Sequence, residues 1–163
     1  MNKILVFGVG KISYLFADDI SVFEQVRNVF DSYKPSMVIN CAAETNLEFC
    51  QENKLASYRS NTLGPIYLLE ECQKRKIKFV QLSSGCLFDG NHFVSTEGTT
   101  PSPAVWYTRT KTWADEYITN FGYENCLILR PRQFFSSRSH PTNLITKFLS
   151  FDEINAIDEE NSA

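Results

Sequence analysis

Tyr107 and Lys111 stand four residues apart in Tyr107-Thr108-Arg109-Thr110-Lys111, just ahead of an amphipathic TWADEYITNF. On a helix, positions four apart share a face, so this spacing places an ammonium beside a phenol and favours the ionised phenol. A tyrosine tuned in this way can donate or accept a proton at a carbonyl or an alcohol. A strand-like run ending in Ser83-Ser84 comes earlier in the chain, and the Ser84 hydroxyl is placed to bind the same substrate oxygen. A second set, Gly8-Val9-Gly10-Lys11-Ile12-Ser13, follows the first apolar run. Its two glycines permit a tight turn and close approach of backbone N–H groups to a pyrophosphate, with Ser13 where a dinucleotide fingerprint has its third glycine. Taken alone, the segment reads equally well as a glycine turn that ends a strand.

These groups need a scaffold that brings them to one edge. Apolar runs of strand length over 4–7, 37–40, 79–83 and 126–130 alternate with helix-period segments, the pattern of an α/β fold with a parallel sheet covered by helices on both faces. Ligands of such sheets sit beyond the carboxyl ends of the strands, where each of these runs meets small or polar residues. Ser21 followed by Glu24 predicts a capping box, with Val22, Val26, Val29 and Tyr33 as the apolar face of the helix it starts. A long helical stretch over 51–76 is interrupted at Gly64-Pro65, which predicts a kink or a restart.

The chain has 163 residues, 43% hydrophobic and 21% charged, a composition that fits one globular domain and excludes a disordered chain. A net charge of −3, with the two signs interleaved, gives no footprint for nucleic acid or an anionic membrane, and neither is expected as a partner. No signal peptide or membrane span is read in the N-terminal MNKILVFG, so a cytoplasmic protein is expected. Cys41, Cys50, Cys72, Cys86 and Cys126 include no CxxC, and His92 and His140 lie far apart. Reduced thiols are therefore expected, with neither a disulfide framework nor a metal site. Residues 1–150 read as one Rossmann-like domain of NAD(P)-binding type, and 151–163 as an acidic tail, weakly ordered or cut from something longer.

Together these residues resemble the extended short-chain dehydrogenase/reductase superfamily, and within it the dTDP-4-dehydrorhamnose reductase branch. The resemblance runs through KILVFG, KPSMVINCAAETN, NTLGP, LSSGCLFDG, TPSPAVWYTRTK and LILRPR, in the family's order. It implies a Ser84, Tyr107 and Lys111 triad working beside NADP or NAD on a nucleotide-linked 4-keto-6-deoxy sugar. It also implies cofactor contacts from Gly8, Gly10, Lys11, Ile12 and Ser13, and from Asn40-Cys41-Ala42-Ala43, whose small residues let the cofactor pass over the sheet. Tyr107 and Lys111 face the cofactor as well. A narrower resemblance, to the nucleotide-rhamnose synthases of plants and large viruses, rests on Ser84-Gly85-Cys86, Phe88-Asp89, Arg130-Pro131-Arg132 and Asn143-Leu144-Ile145-Thr146-Lys147. There the cysteine and the lysine are associated with 3,5-epimerisation, which makes Cys86 and Lys147 a candidate proton-transfer pair. On residue type alone, Cys86 is also a small buried residue at a strand end, and Lys147 a solvated helix lysine. Glu44 and Asn46 fall near the expected crevice, where ordinary loop polar residues would account for both, and Asn61 is read as structural.

The chain departs from the family pattern in two places. A dinucleotide unit needs a helix and a second strand after the glycine turn, ending in an acid about 20 residues on. Here only Tyr14 to Asp18 separates Ser13 from Asp19-Ile20-Ser21, and a parallel crossover takes at least about 10–12 residues. Asp31, the acid near the expected spacing, falls at the end of the next helix. A weakened adenosine pocket and weak or lost cofactor binding follow. Family members also continue beyond this point with residues of the nucleotide-sugar subdomain. A noncatalytic binding or regulatory protein on the same fold is the alternative reading. The apolar faces of 55–72 and 106–117, with Trp106 and Trp113 seven apart, suggest a homodimer.

Overall fold

Short runs of Ile, Leu, Val and Phe, punctuated by Gly, Pro and Ser, fold into the strands of a parallel sheet in the computed structural model, which describes residues 3–8, 19–88, 95–132, 146 and 149–150. The strands are β1 (Ile4–Phe7), β2 (Met37–Asn40), β3 (Lys78–Leu82) and β4 (Cys126–Leu129), hydrogen-bonded in the order β1-β2-β3-β4. Phe7 pairs with Asn40, Asn40 with Gln81 and Leu82 with Leu129, so all four carboxyl ends lie along one edge. Between the strands run α1 (Phe23–Tyr33), α2 (Leu47–Glu52), α3 (Lys54–Tyr58), α4 (Gly64–Arg75) and α5 (Trp106–Phe121). This is the expected α/β, Rossmann-like architecture.

Strand side chains alternate between faces, and only one face is filled by the described helices. Leu5, Phe7, Val38 and Phe79 from the sheet meet Val26, Val29 and Phe30 of α1, Leu68, Leu69 and Cys72 of α4, and Ile118 of α5 in a single core. On the opposite face Ile4 is 57% exposed, Leu127 52% and Leu129 43%, so the coverage of both faces expected from the sequence is found on one among the described residues. β1 is also an edge strand among them, with β2 as its neighbour.

Helix α1 begins later than expected, and the Ser21–Glu24 box is not formed. Val22 is the N-cap and its side chain makes no capping bond. The Asp19 carboxylate instead accepts from the Ser21 N–H at 2.9 Å, and the Gln25 side chain accepts from the Asp19 N–H at 2.9 Å. Asp19 thus turns the chain before Ser21 can cap it. The buried face shifts with the start: Phe30 is fully buried, while Val22 and Tyr33 are 40% and 43% exposed.

The predicted break near Gly64-Pro65 takes the form of a π-helical turn, Arg59–Leu63, between α3 and α4. Pro65 has no N–H for the carbonyl four residues back, and the helix widens just before it. Gly64 is required by close packing, since a Cβ there would lie 2.6 Å from the Ile20 side chain. Residues 151–163 lie outside the described residues.

Candidate active site

Helix α5 lies against the end of β3 and makes contact one turn at a time. At its first turn Tyr107 is half-buried and within hydrogen-bonding reach of the Ser84 hydroxyl. One turn on, the fully buried Lys111 donates from Nζ to the Leu82 carbonyl at 2.8 Å. A further turn on, Ser83 Oγ donates to Asp115 Oδ2 at 2.8 Å. Three residues spaced four apart thus hold three consecutive positions at the end of β3. Ser84 begins a 3-10 turn, Gly85–Leu87, and its hydroxyl accepts from the Cys86 N–H at 3.1 Å. The carbonyls of Leu129 and Pro131 accept from the N–H groups of Ser83 and Gly85 at 2.7 and 2.9 Å, carrying the β3–β4 pairing past the strand ends. Gly85 allows that approach, for a Cβ would sit 3.2 Å from Arg132.

The electrostatics differ from the sequence expectation. Burial pulls the Lys111 ammonium down to about 8, and the Asp115 carboxylate foremost, with the nearby Cys41 thiol, opposes that shift. Burial pushes the Tyr107 phenol up, against the pull of the Ser84 hydrogen bond. The expected lowering of the phenol by Lys111 is therefore absent, because the ammonium is directed onto a backbone carbonyl and desolvation dominates at Tyr107. A phenol held protonated through neutral pH suits the role of proton donor.

The ends of β1 and β2 form a floor of small residues. Gly8 has φ of +108°, and a Cβ on it would lie 2.6 Å from the Ala42 nitrogen, so the two strand-end loops touch through glycine alone. Cys41 N–H donates to the Phe7 carbonyl at 2.8 Å, and Asn40, fully buried, accepts from Ala42 N–H at 3.0 Å while donating to Gln81 at 2.8 Å. Asn40 is thus a structural staple under Ala42 and Ala43. A cofactor's nicotinamide end fits this arrangement: at Gly8 and Ala42 the strand ends carry nothing larger than a methyl group, and Ser84, Tyr107 and Lys111 stand at the end of the neighbouring β3. Gly10, Lys11, Ile12 and Ser13 lie outside the described residues, as does Lys147. Asp31 is not a ribose-binding acid; it caps the ion pair with Arg75 at 2.6 Å on the outside of α1.

Asn61 is the buried clasp of the site. Its side chain accepts from the Glu44 N–H at 2.8 Å and donates to the Glu44 carbonyl at 2.9 Å and to Thr110 Oγ1 at 3.2 Å, tying the loop after β2 to α5. Asn46 caps α2 by accepting from Phe49 N–H at 2.9 Å. The Cys86 thiol is exposed, so the reading of it as a small core residue does not hold. Sequence reasoning passed over Asp115, and named Arg130 without its partner: the Arg130 Nε donates to Asp115 Oδ2 at 2.8 Å. The signal was present: Asp115 follows Lys111 by the same four residues that separate Lys111 from Tyr107.

Residues 11–159 match the family described as the RmlD substrate binding domain. The chain belongs to the RmlD family. A bifunctional dTDP-4-dehydrorhamnose 3,5-epimerase/dTDP-4-dehydrorhamnose reductase of Arabidopsis thaliana is 31% identical over 144 residues, covering 81% of this chain and 46% of the relative. The chain thus spans about half the length of the curated relatives it matches. Two solved structures share the RmlD fold. One is a dTDP-4-dehydrorhamnose reductase of Bacillus anthracis in complex with NADP, at TM-score 0.79 and 19% identity over 91% of this chain and 59% of that one. The other is the L780 UDP-rhamnose synthase of Acanthamoeba polyphaga mimivirus, at TM-score 0.77 and 23% identity over 93% and 63%.

Proposed function

We propose that this RmlD-family chain carries the reducing centre of an NADP- or NAD-dependent reductase acting on a nucleotide-linked 4-keto-6-deoxy sugar, in rhamnose-type sugar-nucleotide synthesis. The observation that carries the reading is the convergence of Ser84, Tyr107 and Lys111 at the carboxyl end of β3, beside the Gly8–Ala42 floor. The names of the relatives support the substrate class. A bound nicotinamide supplies hydride. The Ser84 hydroxyl and the Tyr107 phenol hold the ketone oxygen, and Tyr107, kept protonated by burial, gives it a proton. The Lys111 ammonium, anchored on the Leu82 carbonyl, fixes α5 against the end of β3 and so holds Tyr107 at Ser84. Cys86, exposed on the turn after Ser84, is the proton-transfer group for epimerisation on one face of the ring, with Lys147 as its counterpart. The test is NADPH consumption with a nucleotide-linked 4-keto-6-deoxyhexose, by wild type and Tyr107→Phe. Equal turnover by the two proteins overturns the assignment.

One observation favours a second reading, a noncatalytic binding or regulatory protein. Among the described residues β1 is an edge strand, with no neighbour on the side where adenosine would lie. Such a protein would bind neither nicotinamide cofactor, which separates it from the reductase.

The reading extends to a cytoplasmic setting, where thiols stay reduced; Cys41, Cys50, Cys72, Cys86 and Cys126 are all free. No helix among the described residues is long and apolar enough to cross a membrane. It extends also to a homodimer. Trp106 and Trp113 meet edge to face with ring centroids 5.4 Å apart, and Leu55 and Trp113 leave 61% and 39% of their surface exposed on neighbouring helices. Light scattering checks this, and a mass of 18.7 kDa would remove the dimer.

A further inference from the structure

Asp115 is a carboxylate in the core of the site, 1% exposed, yet it belongs to none of the groups that reach a substrate. Its Oδ2 accepts two hydrogen bonds at 2.8 Å, from Ser83 Oγ and from Arg130 Nε. Its Oδ1 is buried with no hydrogen-bond partner among the described residues. A buried carboxylate left half-satisfied is costly unless a cation nearby stabilises it. Two cations bear on this one. Arg130 reaches it from the end of β4, and Lys111 lies buried one turn earlier on the same face of α5, its Nζ on the carbonyl of Leu82, next to the Ser83 that bonds Asp115.

We propose that Asp115 is a positioning residue that keeps Lys111 charged, while pinning β3 to β4 behind Ser84. The proposal deepens the reading of Ser84, Tyr107 and Lys111 as the reducing centre and rests on it. Without Asp115, burial alone would act on the Lys111 ammonium, with one backbone carbonyl as its partner. With it, the ammonium lies in the field of a fixed negative charge whose orientation is set by Ser83 and Arg130. The groups bearing on Lys111 among the described residues are Asp115 from its own helix and Cys41 from the loop after β2. Tyr107 is a turn away, Cys50 and Cys86 act on Tyr107, and Cys126 of β4 faces Asp115. Cys41 and Cys126 are both held as neutral thiols by burial, so Asp115 is the one formal negative charge in this set.

The test reads charge rather than turnover, using the whole chain with isotope-labelled lysine and aspartate and NMR across pH 6 to 11. Lys111→Arg assigns the Lys111 signal by its loss. In Asp115→Asn, which keeps an oxygen for Ser83 and Arg130, Lys111 is expected to lose its proton with roughly tenfold weaker affinity than in wild type. In Ser83→Ala, which keeps the carboxylate, it titrates as in wild type. A Lys111 titration unchanged in Asp115→Asn overturns the proposal, as does an equal shift in Ser83→Ala. A second measurement needs no variant of Asp115: the Asp115 carboxyl carbon of the wild type is expected to step in chemical shift at the pH where Lys111 titrates, and a flat response overturns the coupling. These outcomes hold whether or not the protein reduces a sugar. An inactive protein with intact coupling removes the enzymatic reading and leaves the charge relationship standing.

Discussion

The Lys111 ammonium donates to the carbonyl of Leu82 at 2.8 Å, two residues before Ser84. A buried cation thereby fixes the register of α5 on β3, and with it the approach of Tyr107 to Ser84. Holding that charge in the core has a consequence for stability. The folded value of about 8 lies below the 10.5 of an exposed lysine, so the unfolded chain binds the proton more tightly. Between those two values the contribution of Lys111 to stability rises with pH, and below about 8 its cost is fully present. Compared with Lys111→Met across pH 7 to 10, wild type is expected to gain about 2.5 kcal/mol in urea denaturation. The difference between the two proteins also cancels the opposite trend of the buried thiols and phenol.

Tyr107→Phe removes one oxygen from a half-buried ring. Turnover with a nucleotide-linked 4-keto-6-deoxyhexose is expected to fall about 100-fold or more, while the melting midpoint stays within about 3 °C of wild type. Steady-state kinetics beside a thermal melt checks both, and a fall in stability matching the fall in rate would assign the residue to packing.

Asn61→Ala deletes three hydrogen bonds from a fully buried position and strands the Glu44 backbone. A loss of about 2–4 kcal/mol is expected in chemical denaturation. Because the clasp joins the loop after β2 to α5, amide exchange should quicken at Glu44 first.

Gly8→Ala meets both a positive φ and the Ala42 nitrogen at 2.6 Å. Neither side can yield without moving a strand end, so a loss of more than about 2 kcal/mol is expected, together with loss of cofactor affinity. Denaturation and an NADPH titration on the same preparation check the pair of effects.

The sheet was legible because its runs are short, apolar and bounded by turn residues; β1 and β2 fall on the expected positions, and β3 and β4 differ by a residue or so at their ends. The start of α1 was not, since the box spacing of Ser21 and Glu24 ignores Asp19, whose carboxylate takes the Ser21 N–H first. The π turn was legible only as a break: Pro65 marks where a bond is lost, and the wider turn is the local answer of the chain to that loss. Ser84, Tyr107 and Lys111 could be found by spacing. The direction of the Tyr107 shift could not, because desolvation depends on what tertiary packing places over the ring. Arg130 was quoted for its place in LILRPR, but its bond to Asp115 joins two elements and leaves no periodic trace.

The central claim, a nicotinamide-dependent reducing centre, stands or falls on whether the chain binds the cofactor at all. Calorimetric titration of the wild-type chain with NADPH and with NADH is the measurement. With only Tyr14 to Asp18 between Ser13 and Asp19, too few residues for a full crossover and second strand, the adenosine end gains little, and a dissociation constant between about 1 μM and 1 mM, some −8 to −4 kcal/mol, is expected for one or both. Absence of heat with either nucleotide at millimolar concentration, in a protein shown to be folded, would contradict the account and leave the noncatalytic reading in its place.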